Sequence, residues 1–293
     1  MDISVIIVSY NTADLTVACL ESVFASQRVS YEVFVVDNAS KDGSAEIIRK
    51  KFPEVRFVAN ETNRGFGAAN NQALRECKGR LVVFLNPDTI VEPELFFTMA
   101  AFMAAHTKVG LAGPRVLNPD GTQQGSVSYR YPGHRYGGED LGSLPGNIAC
   151  VLGACLIASA NLLRELGGFD EDFFLYGEDQ DLCLRIRKRG FEIGFTDDAA
   201  IMHHGGQSER ETLPEEVVRK KVRAELLFYR KHYRPETIRR ICDAQRLRAR
   251  LRMFFIRWLL PLTPNKELAR EKLLRYQVIY EEIRSMSTRD GVK

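Results

Sequence analysis

The sequence predicts an α/β fold: a Rossmann-like, mostly parallel sheet flanked by helices, followed by a helical C-terminal extension. Three observations point there. Leu81–Leu85 is an apolar run that meets Asn86-Pro87-Asp88; it has the length of a buried parallel strand, and Pro87 cannot continue a central ladder. Strand-like and helix-like segments alternate along the first 113 residues, the rhythm of a sheet wound by right-handed crossovers. The charge then changes sign: residues 1–208 carry 19 Lys/Arg and 26 Asp/Glu, whereas residues 209–293 carry 22 and 12.

Taken in order, Ile3–Val8 is an Ile/Val strand that ends in Ser9-Tyr10-Asn11-Thr12. A helix over Thr12–Ala25 follows, with Leu15, Ala18, Cys19, Ser22 and Val23 at helical spacing. Strand Tyr31–Val36 closes on Asp37-Asn38-Ala39-Ser40. Helix Ser44–Lys51, strand Val55–Ala59 and helix Ala68–Glu76 lead to Leu81, and helix Glu94–His106 with strand Val109–Gly113 completes this half.

In a doubly wound sheet the strand ends share one edge, where ligands bind. Ser9/Tyr10/Asn11, Asp37/Asn38 and Asn86/Asp88 should therefore converge. Asp37 is suited to accept hydrogen bonds from a base or ribose; its plain alternative is an Asx-turn. Asp88 could hold a divalent cation against a diphosphate, or cap the helix that begins near Pro93. Asn63–Asn70 contains a Gly-x-Gly without the third glycine of a dinucleotide fingerprint. It reads better as a loop feeding a helix N-terminus through Gly65, with Arg64 placed to meet an anion.

The second half opens with Gly121–Gly146, rich in Gly, Tyr, Arg and Pro. A loop of this length reads as an acceptor-side flap carrying Tyr129, Arg130, Tyr131, Arg135 and Tyr136, or as a disordered insertion. Val151–Ala158 is a buried strand in which Gly153 and Ala154 are small enough for a ligand to approach the backbone. After helix Asn161–Leu166, Asp170, Glu171, Asp172, Glu178, Asp179 and Asp181 are interleaved with Phe169, Phe173, Phe174, Leu175 and Tyr176. A solvated face would not be so aromatic. From Glu178 the pattern is helical, with Arg185, Arg187, Lys188 and Arg189 in the last turns, favourable for the dipole, and Gly190 as terminator. Glu178 and Asp179 thus sit in a first helical turn facing a pocket, and capping can occupy one of the carboxylates of Glu178, Asp179 and Asp181 but hardly all three. Strand Ile193–Phe195 and a turn at Asp197-Asp198 lead to His203-His204-Gly205-Gly206-Gln207-Ser208.

The six cysteines lie in apolar stretches without a CxxC pair, favouring reduced, buried thiols over disulfides or zinc. The N-terminus has no basic n-region and reads as a first strand. No apolar run reaches the ~18 residues of a membrane span. The tail, from Pro214–Arg234 through Ile238–Leu260, combines Ile241, Leu247, Leu251, Phe254, Phe255 and Trp258 with many arginines. That suits an interfacial membrane helix; the alternative is a helix packed on the core or in a homodimer. No nucleic-acid motif accompanies the charge.

The tokens VSYN at 8–11, VVDNAS at 35–40, NRGFGAANN at 63–71 and LNPDT at 85–89 resemble the nucleotide-binding half of family 2 glycosyltransferases with the GT-A fold. GFDE…FFLYGEDxDLCLR resembles the acceptor-side motif of the same family. The common Asp-x-Asp of the fold is Asn86-Pro87-Asp88 here, as in the rhamnosyltransferase-like branch, which leaves one carboxylate as metal ligand.

The resemblance implies an inverting, metal-dependent transferase. Asp179 is then the base, with Glu178 and Asp181 as its neighbours, and Gly153, Ala154, Asp181 and Tyr176 lie near the sugars. Asp88 with His203, or His204 in its place, holds Mn²⁺ or Mg²⁺. Ser9, Tyr10, Asn11, Asp37, Asn38, Arg64, Gly65 and Asn86 bind the nucleotide. The expected donor is dTDP-rhamnose, with a UDP-sugar second. The expected acceptor is a cell-surface glycan or a lipid-linked one, reached from the cytoplasm or the inner membrane face.

Missing spans and a missing QxxRW motif speak against a processive synthase. A non-catalytic sugar-nucleotide-binding scaffold has no need of an acceptor-side base, and a dehydrogenase lacks its third glycine. The expected domains are 1–208, divided into a nucleotide half (1–113) and an acceptor half (114–208), and 209–293.

Overall fold

The computed structural model describes residues 1–206, 214–260 and 265–289, the side chains of 286–289 excepted. In chain order the elements are β1 (Ile3–Ser9), α1 (Ala13–Phe24), β2 (Tyr31–Asp37), α2 (Ser44–Lys51), β3 (Arg56–Ala59), α3 (Phe66–Leu74) and β4 (Leu81–Leu85). Next come β5 (Thr89–Val91), α4 (Leu95–Ala105), β6 (Val109–Leu117), β7 (Val127–Ser128), α5 (His134–Leu141), β8 (Cys150–Val151) and β9 (Cys155–Ser159). The series closes with α6 (Ala160–Leu166), α7 (Glu178–Lys188), β10 (Glu192–His203), α8 (Pro214–His232), α9 (Pro235–Leu259) and α10 (Lys266–Arg289). Gln207 and Ser208 lie outside the described residues.

The main sheet has the order β3-β2-β1-β4-β9-β6-β10-β5. Its first four strands are mutually parallel, as the Ile/Val runs and intervening helices predict. Both faces are buried: Ile3, Val5 and Ile7 of β1 pack with α1, α2 and α4, whereas Ile6 and Val8 pack with α3, α6 and α7. All six cysteines are buried, as their apolar surroundings predict.

Four features depart from the sequence reading. The continuous strand expected over 151–158 is broken at Leu152-Gly153-Ala154. β8 pairs with β7 in a separate two-stranded sheet, and β9 runs antiparallel between β4 and β6. The turn expected at Asp197-Asp198 is instead a register jump within a single long β10. Thr89–Val91, to which the sequence assigns no element, forms β5, which pairs antiparallel with the end of β10. The 121–146 stretch contains β7 and α5, and Tyr131 is buried with its hydroxyl donating to the Ala149 carbonyl at 2.6 Å.

The chain divides into two compact units, Met1–Tyr131 with Leu144–Arg210, and Pro132–Ser143 with Glu211–Lys293. The second therefore takes in α5 from the stretch read as a flap. Within it Gly137 exists for close approach: a Cβ there would meet the Tyr233 ring at 2.5 Å. Arg234 pairs with Asp140 at 2.6 Å, and Arg219 joins α8 to α10 through Glu281 and Glu282.

Candidate active site

Asp88 owes its position to Pro87. The proline stops β4, and the chain reverses into β5, whose Thr89 lies opposite His203 at the end of β10. The Thr89 hydroxyl donates to the Asn86 carbonyl at 2.7 Å and closes the turn. Asp88 is 6% and His203 8% exposed, with Asp88 Oδ1 3.4 Å from His203 Nε2. His204 donates its backbone N–H to the Asp88 carbonyl at 3.0 Å.

The tautomer of His203 is set by Gln124. The Gln124 amide nitrogen donates to Asn118 Oδ1 at 2.7 Å and to the His203 carbonyl at 2.8 Å. Its Oε1 must therefore face the ring, 3.1 Å from Nδ1, and accept that N–H. In the neutral ring Nε2 then carries a lone pair turned toward the Asp88 carboxylate. Two electron-rich atoms held this close suit a shared cation, and an outer hydrogen bond on the far nitrogen is the usual support of a ligating histidine. Among the described residues no cluster of three His, Cys, Asp or Glu could hold a metal. Asp88 and His203 are two donors of the kinds a divalent ion accepts.

Glu178 and Asp179 open α7 behind Gly177, which has φ +82°. Asp179 accepts N–H groups from Gln180 at 2.8 Å and from Gly153 at 3.2 Å. The next residue, Ala154, accepts the Asn86 N–H through its carbonyl at 2.9 Å. Asn86 Nδ2 in turn lies 3.5 Å from His203 Nε2. A relay Asp179–Gly153–Ala154–Asn86–His203–Asp88 therefore brings both carboxylates to one edge of the sheet.

Glu178 is 8% exposed, and its Oε2 has no partner among the described residues. Burial, and secondarily the charge of Asp179, pushes its carboxyl up to about 8. Burial also raises Asp179, opposed by the backbone N–H groups it accepts. Glu178 is thus the member that keeps its proton near neutral pH, and Asp179 the one supported as a carboxylate.

The residues expected at the nucleotide divide into two groups. Some are engaged in hydrogen bonds or close packing within the chain and build the site's scaffold. Ser9 is buried with its hydroxyl among Thr12 and Thr16. Asn38 is buried and binds Asn60, Asn63, Gly65 and the Arg64 N–H. Asn11, at φ +51°, ties the first two strand ends together by accepting the Lys41 N–H at 2.8 Å. Gly65, at φ +83°, lets the Phe174 carbonyl approach to 2.5 Å of where a Cβ would stand.

Others remain available to a ligand. Arg64 is exposed, and Tyr10 and Asn86 are half-buried. Asp37 is buried; its Oδ2 accepts the Ser40 N–H at 3.1 Å, while Oδ1 has no partner among the described residues. Asp181 departs from its expected place near the sugar. Its carboxylate, 1% exposed, holds Arg185 Nε at 2.7 Å, and that guanidinium binds the carbonyls of Leu166 and Gly168. Arg185 and Arg187, read as dipole partners, both bind loop carbonyls, Arg187 those of Pro145 and Gly146. Tyr176 is half-buried at φ +70°, and Ala39 beside Asn38 lies at φ +68°. Strained non-glycine backbone of this kind concentrates at functional sites.

Sequence reasoning missed Gln124 and Asn71. Asn71 clamps the acidic-aromatic loop to α3, donating to the Phe169 carbonyl at 2.8 Å and accepting its N–H at 2.9 Å. Its signal was present in the quoted NRGFGAANN token. Gln124 lies in a loop with no periodicity or spacing that marks it.

With this geometry in hand, comparisons place the chain. The family described as "Glycosyl transferase family 2" matches residues 4–167. "O-antigen biosynthesis protein RfbC" of Myxococcus xanthus is 28% identical over 73% of this chain, a stretch that is 18% of that protein. "N-acetylglucosaminyl-diphospho-decaprenol L-rhamnosyltransferase" of Mycobacterium tuberculosis is 26% identical over 70% of this chain and 76% of its own length. Among solved structures, the mannosyltransferase PcManGT of Pyrobaculum calidifontis, in complex with GDP-Man and Mn²⁺, has a TM-score of 0.61 at 17% identity, covering 99% of this chain and 88% of that one. S. aureus TarS 1-349 in complex with UDP-GlcNAc has a TM-score of 0.55 at 19% identity, covering 99% and 92%. At these identities the structural likeness shows the fold, which is GT-A.

Proposed function

Because the chain belongs to glycosyl transferase family 2 and is a glycosyltransferase, we propose that it is an inverting, metal-dependent enzyme. It moves L-rhamnose from dTDP-rhamnose to a hydroxyl of a cell-surface or lipid-linked glycan. The observation that carries the reading is the relay that sets Asp179 and the Asp88–His203 pair on one sheet edge.

Each residue has a defined task. Asp37 Oδ1, buried and bare, accepts a base N–H; uracil and thymine both offer one, so a UDP-sugar is the alternative donor. Arg64 and the N-terminus of α3 meet the diphosphate. Asp88 and His203 would hold a divalent cation, Mn²⁺ or Mg²⁺, which would neutralise charge developing on the leaving nucleotide.

Asp179 accepts the proton of the attacking hydroxyl. The new bond to the anomeric carbon forms on the face opposite the breaking bond to the diphosphate, and configuration inverts. Protonated Glu178 keeps a second negative charge out of the pocket, and Tyr176 with Gly153 and Ala154 walls the sugar. The name of the mycobacterial relative supports both rhamnose and a lipid-linked acceptor, and the Mn²⁺ in the PcManGT complex supports the cation. The basic tail holds the enzyme peripherally at a membrane surface.

Asp179→Asn tests this directly. Turnover should fall roughly 10²–10⁴-fold, with donor affinity by calorimetry nearly unchanged and configuration at the product's anomeric carbon inverted in the parent enzyme. Undiminished turnover would remove Asp179 as base.

A further inference from the structure

α9 carries an apolar stripe that faces solvent. Leu247, Leu251, Phe254, Phe255 and Trp258 recur at i, i+4, i+7, i+8 and i+11, one side of a helix. All five are exposed, Phe254 by 65% and Trp258 by 67%. The helix's packed side is a different row, Ala249 with the half-buried Met253 and Ile256. Large aromatics in such numbers on a solvent-facing helix mark a contact surface.

The flanks say what it contacts. Arg248, Arg250, Arg252 and Arg257 are exposed and form no ion pair among the described residues. No Asp or Glu occurs between residues 244 and 260. A second copy laid on this stripe would bring arginines against arginines. An anionic surface complements both features at once, taking the rings between its acyl chains and the guanidinium groups among its headgroups. No helix among the described residues is long and apolar enough to cross a membrane, so the contact is interfacial.

We infer that the C-terminal half of α9 lies in the plane of an anionic lipid bilayer, with Phe254, Phe255 and Trp258 inserted and the flanking arginines on phospholipid headgroups. This deepens the membrane-surface role proposed for the tail and rests on it.

Trp258 is the one tryptophan of the sequence, so its fluorescence reports the contact without labelling. The full-length chain is mixed with vesicles of phosphatidylcholine alone or with phosphatidylglycerol added. The expected result is a shift of emission to shorter wavelength and co-sedimentation with the phosphatidylglycerol vesicles only, weakening as salt is raised. Phe254→Ser with Phe255→Ser, checked by circular dichroism for retained helix, should cut the partition coefficient roughly tenfold or more. Arg250→Gln with Arg252→Gln should weaken the response to phosphatidylglycerol.

Emission unmoved by anionic vesicles overturns the inference. So does a shift that appears without vesicles and grows with protein concentration as a dimer forms, which would make the stripe a self-association surface. Nucleotide-sugar binding measured on the same samples keeps the readings apart. Donor binding without vesicle binding removes only the bilayer contact, and the converse removes only the transferase site.

Discussion

Between two adjacent buried carboxylates, hydrogen bonding decides which keeps its proton. Glu178 has no hydrogen-bond donor on Oε2 and sits beside the charge of Asp179, whereas Asp179 is held by two backbone N–H groups. Raised from 4.5 to about 8, Glu178 binds a proton in the folded chain that the unfolded chain releases across that window. Its favourable contribution is complete below about 4.5 and is lost as pH rises through about 8. Glu178→Gln removes this dependence. The variant should be about as stable as the parent at pH 5 and more stable at pH 9, by roughly 4 kcal/mol; a difference that does not grow with pH would refute the assignment. Gln124 acts at the same scale, since its amide chooses which imidazole nitrogen of His203 faces Asp88.

At the scale of elements, two glycine-bearing segments far apart in sequence form one packing unit. The loop before α3 and the loop before α7 meet where the Phe66 N–H donates to the Phe174 carbonyl at 2.8 Å and Asn71 brackets Phe169. Gly65 is required on two counts, its φ of +83° and the Phe174 carbonyl 2.5 Å from any Cβ. Gly65→Ala should therefore destabilise by about 2–4 kcal/mol and weaken donor binding as the loop carrying Arg64 shifts; a chemical melt matching the parent would contradict this.

The same elements show what was legible beforehand. Buried parallel strands announce themselves by unbroken Ile/Val runs, and strand-end polar clusters follow from the topology, so β1 to β4 and the convergence of Asp37, Asn86 and Asp88 could be read. β5, the break at Gly153 and the jump within β10 could not, because each is imposed by a distant partner and not by a local pattern. Asp181 is a different case: its partner Arg185 is local, one turn along the same helix, but acidity alone does not say which way a carboxylate turns.

For the whole molecule, the charge is divided along the chain. A net formal charge of +3 conceals an acidic first stretch and a basic tail, so any attraction to an anionic surface resides in the tail. The central claim is that the cation corner of Asp88 and His203 and the carboxylate of Asp179 serve one reaction space. A crystal structure with Mn²⁺ and a non-transferable dTDP-sugar analogue tests it most directly, by anomalous scattering from the metal. The account predicts a Mn²⁺ peak bound by Asp88 Oδ1 and His203 Nε2 against the diphosphate, with the sugar beside Gly153 and its anomeric carbon open toward Asp179. A metal bound elsewhere, or a sugar turned away from Asp179, would contradict it.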